Sequence, residues 1–331
     1  MYAYIIRRIL ATIPVMGVVA IFVFLLLHLT PGDPAAVIAG DYASPADVER
    51  IREQLGLNRP LHVQFFAWAG RLVQGDLGVG IFSKMPVTKL IAQRIEPTLA
   101  LAATTIIFAV LIAVPLGVLA AWKSGTWIDR SIMIFAVLGF SVPIFIIAYS
   151  IIWSFSINLQ WFPVQGYRSF LTESGIAIQG VCRDTGRPGC GLLPFARHIA
   201  MPSVALGVVY VALIARITRA SVMEVLTEDY IRTAHAKGLA SGVVLIRHAL
   251  KNASVPIVTI IGIGIALLLG GVVVTESVFN IPGLGRLTVD AILHRDYPII
   301  QGLILIFAGI YVLINLLVDI SYTFLDPRIR Y

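Results

Sequence analysis

The chain has 331 residues, of which 58% are hydrophobic and 13% charged, and its mean hydropathy is +0.89. Those proportions exclude an ordinary soluble domain and define an integral membrane protein. A formal net charge of +7 calls for no nucleic acid, because basic loops beside anionic lipid headgroups account for it.

Crossing a bilayer takes about 20 apolar residues of helix, and lipid tolerates no unpaired backbone groups. Six apolar runs meet that requirement, at 9–29, 99–122, 132–157, 199–215, 255–274 and 299–320, and predict an all-α protein with six transmembrane helices. The first follows Arg7 and Arg8 but is too long for a signal peptide and lacks a small-residue cleavage site, so it is expected to stay as an anchor. Pro143 lies near the middle of the third run and is expected to kink it. The fourth, between His198 and Arg216, is at the short limit for a span.

An even number of spans puts both termini on one side. With the N-terminus inside, the segments 1–8, 123–131, 216–255 and 321–331 face the cytoplasm and carry Lys and Arg at nearly twice the density of the segments outside. That bias favours an N-in, C-in topology, since long translocated loops escape the rule.

The first outer region, 31–98, opens with Ser44-Pro45-Ala46-Asp47, which reads as an N-cap, a proline at the first helical position and an acid in the first turn. A short helix is expected from there to Gly56. A second, over Leu61–Gln74, places Phe65, Trp68 and Leu72 on one face before Gly75-Asp76-Leu77-Gly78 breaks it. This pair serves either as a cap packed on the chain's own helices or as a surface for a partner.

The second outer loop, 158–198, holds the only two cysteines, Cys182 and Cys190. A closable Gly- and Pro-containing loop on an oxidising face predicts a disulfide; the alternative is two unpaired thiols. Two cysteines with only His198 nearby do not make a zinc site.

Signatures of catalysis are missing from the sequence. There is no Gly-x-x-x-x-Gly-Lys-Ser/Thr phosphate loop, no His-Glu-x-x-His and no Gly-x-Ser-x-Gly. The chain is therefore not expected to be an enzyme, to bind a cofactor or a metal, or to hydrolyse ATP.

The segment between the fourth and fifth runs, 216–254, is polar and basic. Glu224–Ala236 is expected to form a helix ended by Gly238, and Ser241 to cap a second helix reaching about Asn252, giving a stiff helical hairpin. Within it, Arg232-Thr-Ala-His-Ala-Lys-Gly238 resembles the Glu-Ala-Ala-x-x-x-Gly signature of permeases in binding-protein-dependent ABC importers. Ala234 and Gly238 match that signature, whereas Arg232 and Thr233 depart from it in the manner of the peptide branch. Further likeness covers the whole chain: Thr30-Pro-Gly-Asp-Pro34, Gln74-Gly-Asp-Leu-Gly78, Phe279-Asn-Ile-Pro-Gly-Leu-Gly285, Arg295-Asp-Tyr-Pro298 and Asp326-Pro-Arg-Ile-Arg-Tyr331. Together they resemble the dipeptide, oligopeptide, glutathione and nickel group of type I importers; the cysteine-bearing insert departs from the short loop common there.

The resemblance implies a bacterial inner-membrane permease, paired with a second related permease, two cytoplasmic ATPase subunits that bind ATP and Mg, and an extracytoplasmic substrate-binding protein. It implies cargo of the peptide kind, with nickel or another small solute as the alternative. Glu228, Asp229, Arg232, Thr233, Ala234, Ala236, Lys237 and Gly238 are then the candidates for contact with the ATPase, the charges setting register and Gly238 the turn.

The substrate path is less defined. Gln301, Asn315 and Asp319 are polar positions in the sixth run and candidates for it, although Asp319 lies close to the inner end where water can reach it. Gly262, Ala266 and Gly270 share a face suited to close helix packing. The loop carrying Phe279, Asn280, Pro282 and Gly283 is either a contact for the binding protein or an ordinary tight turn. A lone secondary transporter is the rival class, but the two halves show no internal repeat. A membrane scaffold without transport would leave the matched motifs unexplained.

Overall fold

The computed structural model describes residues 2–29, 35–36, 44–55, 57–182, 186 and 188–325. Its elements in chain order are α1 (Tyr2–Leu29), α2 (Pro45–Leu55), α3 (Leu61–Val73), α4 (Val87–Trp122), α5 (Trp127–Ser141), α6 (Ile144–Ile151, continued by wider π-type turns over Ile152–Asn158), β1 (Leu171–Thr172), β2 (Gly175–Ile176), β3 (Gly180–Val181), β4 (Pro188–Cys190), α7 (Leu192–Leu226), α8 (Asp229–Ala236), α9 (Ser241–Val243, continued by π-type turns over Val244–Leu250), α10 (Ser254–Val278), α11 (Leu284–Leu293) and α12 (Tyr297–Leu325). The motif at 30–34, the terminal motif at 326–331 and Gly56 lie outside the described residues.

Two compact units emerge from the contacts, one built from Glu96–Arg286 and the chain from Ile314, the other from Tyr2–Ile95 and Leu287–Leu313. In the first, α7 is the centre. Ala205, Leu206, Val211, Ile214 and Ala215 are buried along it among residues of α4, α6 and α10. Small residues let the backbones close up, since lipid supplies no hydrophobic drive for helix association and packing must replace it. A Cβ on Gly117 of α4 would sit 2.6 Å from the Cβ of Thr218 on α7. On α10, Gly262 is similarly pressed against Val318 of α12, whereas Gly270 faces open space, so only part of the small-residue face makes close contact.

The helices outrun the apolar runs that predict them. α7 begins at Leu192 and ends at Leu226, passing through His198, Arg216 and Arg219 without interruption. α4 likewise starts at Val87 rather than Leu99 and carries Pro97 and Pro115 inside it. Apolar length marks where lipid can be, while caps and turns mark where a helix stops. The third run differs more: it is two helices, α5 and α6, whose axes diverge by 102°. Pro143 does not kink one helix but begins another. Val142 before it is extended (φ −87°, ψ 126°), as steric conflict with the proline ring requires. Among the described residues, five helices are therefore long and apolar enough to cross a membrane, and a sixth crossing requires the bent pair to count as one.

In the second unit, α1 packs on α3 through aromatic side chains. Phe24 lies 5.4 Å from Phe65 edge-on and 5.8 Å from Trp68, which favours the reading of α3 as a cap on the chain's own helix. The Gln301 amide donates to the Val23 carbonyl of α1 at 3.1 Å, and Gln301 is 8% exposed. This side chain ties α12 to α1.

Candidate functional site

The hairpin between α7 and α10 is a seated knob. At the end of α7 the Thr227 hydroxyl donates to the Glu224 carbonyl at 2.7 Å, and Glu228 turns extended before α8. Helix α8 ends in a Schellman motif: the Gly238 N–H donates to His235 O at 2.9 Å and the Leu239 N–H to Ala234 O at 3.3 Å. Gly238 has φ +79°, a conformation that costs an L-residue about 1–2 kcal/mol.

Three residues apart on α8, Ile231 and Ala234 are buried at 2% and 7% exposure. They pack with Ala121 of α4, Val222 of α7, Val244, Leu245 and Ala249 of the second hairpin helix, and Ile257 of α10. Ala234 therefore belongs to the seat and not to the outward surface, which corrects its place among the contact candidates: the small side chain is needed where α8 meets its own chain. Glu228, Asp229, Arg232, Thr233, Ala236, Lys237 and Gly238 are exposed. The second helix starts at Ser241 with Ala240 at its N-cap and no side-chain cap bond, so Ser241 is its first helical residue instead of its cap. Asn252 fixes the pair by donating to the Tyr230 hydroxyl at 2.8 Å.

Beside this knob lies an ion pair that the sequence reading passed over. The Arg219 fork grips Asp129 of α5 through Nε–Oδ1 at 2.5 Å and Nη2–Oδ2 at 2.7 Å. Asp129 is 4% exposed and accepts a third bond from the Gly125 N–H at 3.0 Å. Both residues lie beyond the ends of their apolar runs, 132–157 and 199–215. The available signal was an acid within the otherwise basic segment 123–131.

At the far end of α10 a second buried acid organises a loop. Glu276 is fully buried; it accepts from the Thr98 hydroxyl at 2.6 Å and from the Arg286 N–H at 2.9 Å. The Thr98 oxygen in turn accepts from the Leu284 N–H at 2.7 Å. A Cβ on Gly283 would collide with the carboxylate, so the loop 279–285 wraps Glu276 closely. Phe279 is 1% exposed and Gly283 is buried, while Asn280 and Pro282 are exposed. Phe279 and Gly283 are thus interior residues of a turn, a correction to their candidacy for outside contact.

Cys182 and Cys190 are joined by a disulfide, and both are buried. It closes a small antiparallel insert in which β1 pairs with β2 and β3 with β4. The insert is anchored to α4, where Glu96 accepts from the Tyr167 hydroxyl at 3.0 Å and the Ser169 hydroxyl at 2.5 Å. Asn315 is exposed and Asp319 half-buried on α12. Among the described residues, no group of three or more His, Cys, Asp or Glu side chains could hold a metal ion.

A family of membrane subunits defined by this arrangement accounts for the chain. The profile for the binding-protein-dependent transport system inner membrane component matches residues 113–331, and the corresponding N-terminal profile matches residues 1–102; the chain belongs to that family. It is a multi-pass inner-membrane permease subunit of an ABC importer, and not an enzyme. It is 53% identical, over the full length of both chains, to the probable peptide ABC transporter permease protein y4tP of Sinorhizobium fredii. To the glutathione transport system permease protein GsiC of Escherichia coli it is 42% identical, again over the full length of both. Its fold resembles a chain from an inward-facing crystal form of the MetNI methionine ABC transporter, with TM-score 0.56 and 17% identity over 72% of this chain and 96% of that one.

Proposed function

We propose that this chain forms half of a translocation pathway for peptides, dipeptides, longer oligopeptides or glutathione, delivered by an extracytoplasmic binding protein. Its other half is a second, related permease. The termini and the 216–254 hairpin lie in the cytoplasm, and the exposed face of α8 docks on one of two separate ATPase subunits, which bind the ATP and Mg. Closure of the ATPases then pulls the hairpins, and the membrane helices swing between inward- and outward-open arrangements.

The observation that carries this reading is the knob itself. α8 is bolted to its own bundle by Ile231 and Ala234 while presenting Asp229, Arg232, Thr233, Lys237 and Gly238 outward, as a rigid handle requires. The peptide cargo is supported by the names of relatives at 53% and 42% identity over the whole chain. The test is uptake into proteoliposomes holding the complete transporter, with labelled dialanine, a labelled pentapeptide, glutathione and nickel ion offered in turn. ATP-dependent accumulation of a peptide or of glutathione supports the proposal. Accumulation of nickel alone, or uptake that proceeds without ATP, removes it.

A further inference from the structure

The seat of α8 joins four elements of its bundle, and α5 is not one of them. Ala121, Val222, Val244, Leu245, Ala249 and Ile257 bring α4, α7, the second hairpin helix and α10 to Ile231 and Ala234, and no residue of α5 is among them. Helix α5 packs along α7. Along that line Met133, Ala136, Val137, Phe140 and Ser141 of α5 border an open groove with Ala212, Leu213 and Arg216 of α7, while Gly139 packs closely on Val208, an added Cβ there lying 3.0 Å from its Cγ1. In lipid such packing is what holds helices together. A bidentate Arg–carboxylate pair adds a directional tie to it, because its two parallel bonds fix both distance and orientation.

That pair is Asp129–Arg219. It joins the first turn of α5 to α7 shortly before Thr227 and Glu228, the two residues that separate α7 from α8. Both linker residues are themselves bonded back to α7, through Thr227 N–H to Glu224 O at 3.1 Å and Glu228 N–H to Val225 O at 3.2 Å. The path from handle to α5 is therefore short and without slack.

We propose that Asp129 and Arg219 are positioning residues for energy coupling: the fork makes α5, and the sharply bent α6 that follows it, move with α7 when the ATPase displaces α8. This rests on the reading of α8 as the ATPase dock. In a role confined to stability, weakening the fork lowers the amount of assembled transporter but leaves each assembled one coupling normally. In a positioning role, assembled transporter continues to consume ATP while cargo lags.

The experiment uses the complete transporter in proteoliposomes, with labelled dialanine and glutathione as probes, and reads probe moved per ATP hydrolysed. The variants are Asp129→Asn, Arg219→Lys and Gly238→Val. Arg219→Lys keeps a cation beside the buried Asp129 and loses only the fork, so it carries the test if Asp129→Asn does not assemble. The expected result is a fall of about tenfold in probe per ATP for Arg219→Lys, with ATP turnover retained. An unchanged ratio in Arg219→Lys overturns the proposal. A wild-type transporter that couples, together with Gly238→Val that does not, shows the dock reading intact while the fork fails. Coupling that survives Gly238→Val as well removes the dock reading itself.

Discussion

Thr98 and Glu276, 178 positions apart in the chain, share a buried hydrogen bond of 2.6 Å in which the hydroxyl donates to the carboxylate. The same hydroxyl oxygen receives the Leu284 N–H, so one side chain joins α4, the end of α10 and the start of α11. Thr98→Val removes both bonds while keeping the shape. It is expected to lower the unfolding free energy of the purified protein by about 1–3 kcal/mol, the cost of leaving buried polar groups unmet. Thermal unfolding in detergent reads this, and an unshifted midpoint would show that the loop 279–285 is held by other contacts.

Gly238 separates backbone strain from crowding. Its φ is +79°, yet an added Cβ would meet nothing within 4 Å. Substitutions are thus expected to rank by tolerance of the left-handed conformation and not by size: Gly238→Asn close to wild type, Gly238→Ala impaired, Gly238→Val worst. ATP-dependent uptake by the three variants reads the ranking. Equal loss in Asn and Val would mean that the absent side chain, and not the turn, is what matters.

The two faces of α8 call for opposite outcomes. Ala234→Leu forces extra volume into a closed seat and is expected to destabilise this chain on its own by about 1–3 kcal/mol. Lys237→Glu, on the exposed face, is expected to leave the chain's own unfolding unchanged and to weaken co-purification of the ATPase, most of all at high salt. The Asp229–Arg232 pair spans 3.2 Å with both side chains largely exposed, so its removal is expected to shift stability by no more than about 1 kcal/mol. Unfolding midpoints and pull-downs at two salt concentrations distinguish the faces.

Replacing Cys182 and Cys190 together by Ser opens the short closed loop of the insert. Chain-entropy arguments give a local loss of about 2–3 kcal/mol for a loop of this size. Protease nicking within 171–191 is expected to rise several-fold, while cleavage elsewhere stays as before. Equal resistance in the oxidised and Ser forms would assign the order of the insert to the Glu96 contacts with Tyr167 and Ser169 instead.

Sequence patterning revealed the apolar segments of the fold, because lipid imposes a minimum length that composition displays directly. It was weaker at their ends. Arg216 and His198 mark a change in polarity but carry no stop signal, so α7 starts at Leu192 and runs on to Leu226. Pro143 was visible as a disturbance, yet a residue pattern does not say whether a proline bends a helix or separates two; the extended Val142 decides it. The hairpin was legible from Gly238 and its flanking helical stretches, but the helix expected over Glu224–Ala236 is broken at Thr227 and Glu228, with Glu224 still in α7 and α8 starting at Asp229. Which face of α8 turns inward was not legible, since Ala234 is a small residue suited to either side until Ile231 is seen beside it in the seat. Long-range polar contacts such as Arg219 with Asp129 and Gln301 with Val23 depend on how helices cross, which one chain's periodicity does not encode.

The most direct measurement concerns the side of the membrane on which the handle stands. Lys237→Cys adds one accessible thiol to a chain whose two native cysteines are joined to each other. A membrane-impermeant maleimide is expected to label it in inside-out vesicles and not in intact spheroplasts, with assembly of the ATPase protecting it. Labelling in intact spheroplasts would put the hairpin outside, where no ATP-consuming partner could hold it.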